Sequence, residues 1–321
     1  MKAPIRLAMA FLAALPLASA AQNWPAKPIR FLMTAPTGSS IDVIGRLLAE
    51  RIRGPLGQPV VVEDRAGAGG TIATDAAAKA PPDGYTMVLS FNGPLAFGPY
   101  MYARLPYDPF KDLAPVITAT SQPNLLAANA GLPVNSVQEL IDYARKNPRK
   151  LNYGSVGNGS SSHLTMELFK MTAGVDIVHI PYNGSPPAAA SLAANDTQLL
   201  FAVPTAITPL IQAGKVKPLA VTGLKRYSLT PQVPTVAESG LPNFEALAWN
   251  GVLVPAGTPR PIIDRLNREM NVALESPDVR QKLNAAGLDP VGGTPEDFGR
   301  LIRSESEKWA PVIKRTGAKI D

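Results

Sequence analysis

Two short stretches carry the polar groups best suited to chemistry, and neither contains lysine or arginine. The longer runs Tyr153-Gly154-Ser155-Val156-Gly157-Asn158-Gly159-Ser160-Ser161-Ser162-His163. The shorter is Pro36-Thr37-Gly38-Ser39-Ser40-Ile41-Asp42. Glycines let a backbone close on a ligand, and serine hydroxyls supply neutral donors. The chemistry on offer is anion binding by backbone N–H groups at a helix N-terminus, where the macrodipole is positive. Glycine and serine also cap helices with no ligand involved. The repetition of the pattern, more than a hundred residues apart, points to two lobes facing one ligand.

The flanking sequence supplies the elements that would hold these stretches. Lys150 to Tyr153 reads as a strand before the second, and Leu164, Leu168 and Met171 mark one apolar helix face after it. Ile29 to Ala35 reads as a strand before the first, and Val43, Ile44, Leu47, Leu48 and Ile52 form the stripe of the following helix. Strand and helix then alternate along the chain. Val60 to Glu63 is expected as a buried strand and Tyr85 to Phe91 as the next one. Ser136 is expected to cap a helix, with Glu139 completing a capping box. Ala246 to Val254 reads as a strand crossing back to the first lobe. The spacing predicts βαβ units and a doubly wound α/β fold. In such folds ligands sit at the carboxyl ends of strands, which adds Asn92, Asn183 and Thr205 as candidates.

Catalysis finds no support in the same residues. There is no G-x-S-x-G elbow, and neither His163 nor His179 is spaced to serve a nucleophile. Gly157-x-Gly159-x-x-Ser162 and Gly67-x-Gly69-x-x-Ile72 lack the third glycine of a dinucleotide fingerprint. His163 and Glu167 are one helical turn apart, but two ligands without a third make a poor metal site. No cofactor is therefore expected. The absence of cysteine excludes disulfides and thiolate chemistry. A net charge of +6 on scattered residues makes no nucleic-acid stripe.

The N-terminus reads as a signal peptide. Lys2 and Arg6 precede an apolar run from Leu7 to Leu17, and Ala18-Ser19-Ala20 fits a cleavage site. The mature chain is expected to be exported, to the periplasm, and soluble. Its expected organisation is a signal peptide over 1–20, lobe 1 over 21–120 and 248–321, and lobe 2 over 121–247.

Several stretches together resemble one family, the periplasmic solute-binding (Bug-type) receptors of the tripartite tricarboxylate transporter system. They include Pro36-Thr37-Gly38 through Asp42, Gly67-Ala68-Gly69-Gly70 and Pro82-Asp83-Gly84-Tyr85-Thr86. Gly159 to Leu164, His179-Ile180-Pro181-Tyr182, Trp249-Asn250-Gly251 and Pro255-Ala256-Gly257-Thr258-Pro259 complete the set. The resemblance implies a two-lobed Venus-flytrap fold, each lobe a doubly wound mixed sheet with flanking helices, joined by a two-strand hinge. It implies reversible capture of a small carboxylate, delivery to the subunits of a membrane permease, and no enzyme activity. The chain is expected to be monomeric. By position, the first cradle contributes Thr37, Gly38, Ser39 and Ser40. The second contributes Ser155, Gly157, Asn158, Gly159, Ser160 and Ser161. Asp42 and His163, just inside the two helices, are candidates for polar contact with the ligand. A ligand sensor without a transport role would use the same closure.

Overall fold

The computed structural model describes residues 24–317 and Lys319, so the expected signal peptide lies outside the described residues. In chain order the first part holds β1 (Ile29–Met33), α1 (Ser40–Leu56), β2 (Val60–Asp64), α2 (Thr71–Ala78), β3 (Thr86–Phe91), α3 (Gly98–Met101) and β4 (Leu113–Pro123). The middle part holds β5 (Leu125–Asn129), α4 (Val137–Lys146), β6 (Asn152–Ser155), α5 (Ser161–Ala173) and β7 (Val178–Pro181). It continues through α6 (Ser185–Ala194), β8 (Leu199–Ala202), α7 (Pro204–Gln212) and β9 (Val216–Val221). The last part is β10 (Leu247–Pro255), α8 (Arg260–Glu275), α9 (Pro277–Ala285), β11 (Pro290–Gly292) and α10 (Pro295–Thr316).

These strands form two mixed sheets. The first has the order β11-β4-β10-β3-β1-β2, the second β7-β6-β8-β5-β9. β1 runs parallel to β2 and β3, whereas β10 is antiparallel to both β3 and β4. Only Asn124 separates β4, in the first sheet, from β5, in the second. The chain returns at Ala246, directly before β10. Both crossings meet at Thr222. Its N–H donates to the Asn124 carbonyl at 2.9 Å, and its carbonyl accepts the Ala246 N–H at 3.0 Å.

Local sequence explains the main elements. α1 begins at Ser39, whose hydroxyl accepts the Asp42 N–H, and ends at Gly57 with φ +71°. α10 begins with a capping box between Thr294 and Asp297. In α4, Ser136 accepts the Glu139 N–H as expected, but the Glu139 carboxylate takes the N–H of Asn135 rather than that of the cap residue. The indoles of Trp249 and Trp309 both donate to the buried Glu305 carboxylate, at 3.4 and 3.0 Å, which ties α10 to β10. Phe97 packs edge-on to Trp309 and Phe298 to Trp249.

Two sequence expectations shift. Val60–Glu63 forms the outermost strand of its sheet, and Val61 is exposed because no strand pairs beyond β2. The apolar face of α5 is wider than Leu164, Leu168 and Met171. Leu164, Met166 and Phe169 are fully buried, because α5 packs on β6 and β8 and also against α10.

Candidate functional site

Each of the two glycine-serine stretches follows the carboxyl end of a strand, β1 and β6, and opens a helix, α1 and α5. Their geometry is the same. Ser39 and Ser160 are the N-caps, accepting the N–H of Asp42 at 3.2 Å and of His163 at 3.3 Å. Asp42 and His163 then reach back to the glycine before the cap. Asp42 Oδ2 accepts the Gly38 N–H at 2.9 Å, and His163 Nδ1 accepts the Gly159 N–H at 3.2 Å. Gly38 and Gly159 have φ of +82° and +72°, which other residues adopt only under strain. Among the described residues, the first-turn N–H groups of Ser40, Ile41, Ser161 and Ser162 have no acceptor. Each cradle thus points two free backbone donors out of a helix N-terminus.

Many of the other candidate groups are engaged in holding the loops. The Gly157 N–H donates to Ser155 Oγ at 3.2 Å, and Ser155 Oγ is 2.7 Å from His179 Nε2. Ser160 Oγ donates to the Gly157 carbonyl at 2.6 Å, and the Ser160 N–H donates to the same oxygen at 3.2 Å. In the first loop Thr37 Oγ1 donates to Asp64, and Asp42 pairs with Arg46 at 2.6 Å. Asn92 is buried, and its amide donates to the Leu247 carbonyl of the hinge strand at 3.3 Å. Asn183 is exposed between β7 and α6. Thr205 lies in the first turn of α7, and its side chain is outside the described residues.

The second cradle faces the carboxyl-edge loops of the first sheet. A gap of about 10 Å³ is lined by Asn158 and Gly159 on one side and by Gly69, Gly93 and Tyr102 on the other. It is no larger than a single water. Tyr102 donates its hydroxyl to the Ala68 carbonyl at 2.8 Å, which fixes the 67–70 turn against this gap. Gly93, Tyr102 and Asn124 escape a reading of motifs. The only sequence signal for the first two is their position after the β3 edge.

Beneath the second cradle lies a column of stacked rings. His163 and His179 are 4.1 Å apart at 7°, and Tyr153 stacks on His179 at 4.7 Å. The Tyr153 hydroxyl donates to Glu167 Oε1 at 2.6 Å, and Lys170 Nζ meets the same oxygen at 2.7 Å. Burial, then the Glu167 charge, pushes the Tyr153 phenol far above its ordinary value. Burial, with Lys170 adding to it, depresses His163 to about 4. Burial and then His163 depress His179 to about 3. Both imidazoles are neutral at pH 7, so Nδ1 of His163 is free to accept.

This arrangement sets a pH dependence. Unfolded histidines take up protons near pH 6.5, and the folded pair does so only near 4 and 3. Between those limits the unfolded chain binds more protons, so stability is full above about pH 6.5 and falls as the pH drops. The slope approaches about 1.4 kcal/mol per pH unit for each histidine. The urea midpoint is expected to be clearly lower at pH 5.0 than at pH 7.5, and His163→Gln to flatten that dependence. Equal midpoints in the native chain would refute it.

Two α/β lobes joined by two strands, with paired helix N-termini at sheet edges, define a hinged solute-binding protein. The family can be stated as well. The chain belongs to the tripartite tricarboxylate transporter family receptors, whose profile matches residues 44–318. Protein BugT of Bordetella pertussis is 40% identical over 301 residues, covering 94% of this chain and 92% of BugT. The R. palustris protein Rpa4515, solved with adipate, superposes with a TM-score of 0.85 at 39% identity, covering 93% of this chain and 100% of that one. MatC from Rhodopseudomonas palustris, solved with malate, gives a TM-score of 0.81 at 31% identity, covering 90% and 100%. Receptors of this family are periplasmic binding proteins. No helix among the described residues is long and apolar enough to cross a membrane.

Proposed function

We propose that this chain is an exported, monomeric periplasmic receptor that captures a small dicarboxylate between its lobes and presents it to a tripartite-type permease. The lobes are residues 24–123 with 247–317, and residues 125–245, pivoting at Asn124 and Ala246. One carboxylate docks on the free N–H groups of Ser40 and Ile41 and of Ser161 and Ser162, with the Ser161 hydroxyl beside them. The observation that carries this reading is the matched pair of serine-capped helix starts, each with two unused donors. The adipate and malate held by the two similar structures support the ligand class. Closure is a population shift that requires contacts from both lobes at once.

A thermal-shift screen of refolded protein against mono-, di- and tricarboxylates tests it. At a hundredfold excess over Kd a true ligand adds about 2.7 kcal/mol of stability. Two serine variants weigh binding against folding. Ser161→Ala is expected to weaken binding by about 0.5–1.5 kcal/mol, and to cost some ligand-free stability because the Asn124 amide then keeps only Thr165 Oγ1 at 3.4 Å. Ser160→Ala removes the N-cap and is expected to cost about 1 kcal/mol of folding stability. No stabilisation by any carboxylate, with the protein shown ligand-free by native mass spectrometry, would reject the proposal.

A further inference from the structure

Asn124 is the one residue between β4 and β5, and its position is fixed from both sides. Its N–H donates to Thr222 Oγ1 at 2.9 Å, and its carbonyl accepts the Thr222 N–H at 2.9 Å. The side chain is 2% exposed. Its amide donates to Ser161 Oγ at 2.9 Å, with Thr165 Oγ1 at 3.4 Å. Ser161 is the first residue of α5, partly exposed, next to the free N–H groups of the second cradle. A serine hydroxyl has a single proton. With the amide N–H occupying an oxygen lone pair, that proton must point away from Asn124.

We propose that Asn124 is a positioning residue, which holds the Ser161 hydroxyl with its proton turned outward to donate to the ligand carboxylate. This rests on the carboxylate reading of the cleft. Asparagine suits the task because its amide is neutral and donates. Aspartate has the same shape but only accepts, so it would turn the Ser161 proton inward and set a negative charge near the bound anion. Because Asn124 is also the crossover residue, the same side chain ties the hinge to the cradle.

Calorimetric titration of refolded protein with adipate and with malate tests the assignment. Asn124→Asp is expected to weaken binding by about tenfold or more, since the lost bond is to a charged group. Asn124→Ala, which frees the hydroxyl to rotate, is expected to cost about threefold. The discriminating result is the double variant: in a Ser161→Ala background, Asn124→Ala should add almost no further loss. A purely structural asparagine would instead add its full loss of affinity in that background, which would overturn the proposal. Native affinity in Asn124→Asp would overturn it too. If the unmodified protein binds neither adipate nor malate nor any other carboxylate of the panel, the carboxylate reading fails, and this assignment with it. Binding by the unmodified protein with additive losses rejects Asn124 alone.

Discussion

Glu167→Ala is expected to cost the fold about 3 kcal/mol, the low end of the range for breaking a buried ion pair. The carboxylate is 8% exposed and serves two partners. Without it the Tyr153 hydroxyl, in a fully buried side chain, loses its acceptor, and Lys170 keeps a positive charge against the Tyr153 ring with no counter-charge. Lys170 has 19% of its side chain exposed and can partly reach water, which is why the low end applies. Tyr153→Phe, which leaves the ion pair intact, should cost about 1 kcal/mol. Urea unfolding at pH 7.5 measures both. A loss below about 1 kcal/mol for Glu167→Ala would show that the pair behaves as a surface contact.

The largest effect on binding is expected from Gly93→Val. A Cβ built on Gly93 would lie 2.6 Å from Cε2 of Phe91 and 3.2 Å from the carbonyl oxygen of Gly159 in the second cradle. Phe91 is half-buried, and the Gly159 carbonyl belongs to the second cradle, which meets the first sheet's edge at this point. A branched side chain there acts as a wedge. Overpacking of this kind costs about 1–3 kcal/mol, which converts to about a 5- to 150-fold loss of affinity. The contact with Phe91 also lowers the ligand-free melting temperature, so affinity is to be read at a temperature where the variant is folded. The radius of gyration in solution scattering should stay at its open value when ligand is added. Native affinity in Gly93→Val would mean that the lobes do not meet at this point.

The sequence made the fold legible because its local signals agree with its tertiary structure. Ser136 caps its helix where its spacing implies, and the runs read as strands at Ile29, Val60, Tyr85 and Ala246 are strands. The cradles were also visible as strand, glycine-serine turn and helix. What the pattern could not show is which groups those turns spend on themselves. Asp42 and His163 look like ligand contacts in a linear reading, yet each accepts the N–H of a glycine four residues earlier. That use depends on a left-handed glycine placing its N–H over the first helical turn. Asn124 was hidden for a different reason. It lies between two strands with no motif around it, and its partners Ser161 and Thr222 are 37 and 98 residues away. The exposure of Val61 reflects strand order, which periodicity does not contain.

The position of β10 has a consequence for how the molecule is assembled. Leu247–Pro255 lies between β3 and β4 and bonds to both. Until that segment exists, strands made much earlier have no bridge to one another, and the first sheet stays in pieces. The second sheet draws all its strands from Leu125–Val221 and can close on its own. Long-range pairing is slow because its loop must close before any contact compensates. A chain emerging from its N-terminus would therefore complete its middle first and its two ends last, together. In the exported receptor proposed above, the first part of the chain lacks the strand that would lock it into a finished lobe until nearly the whole chain is available.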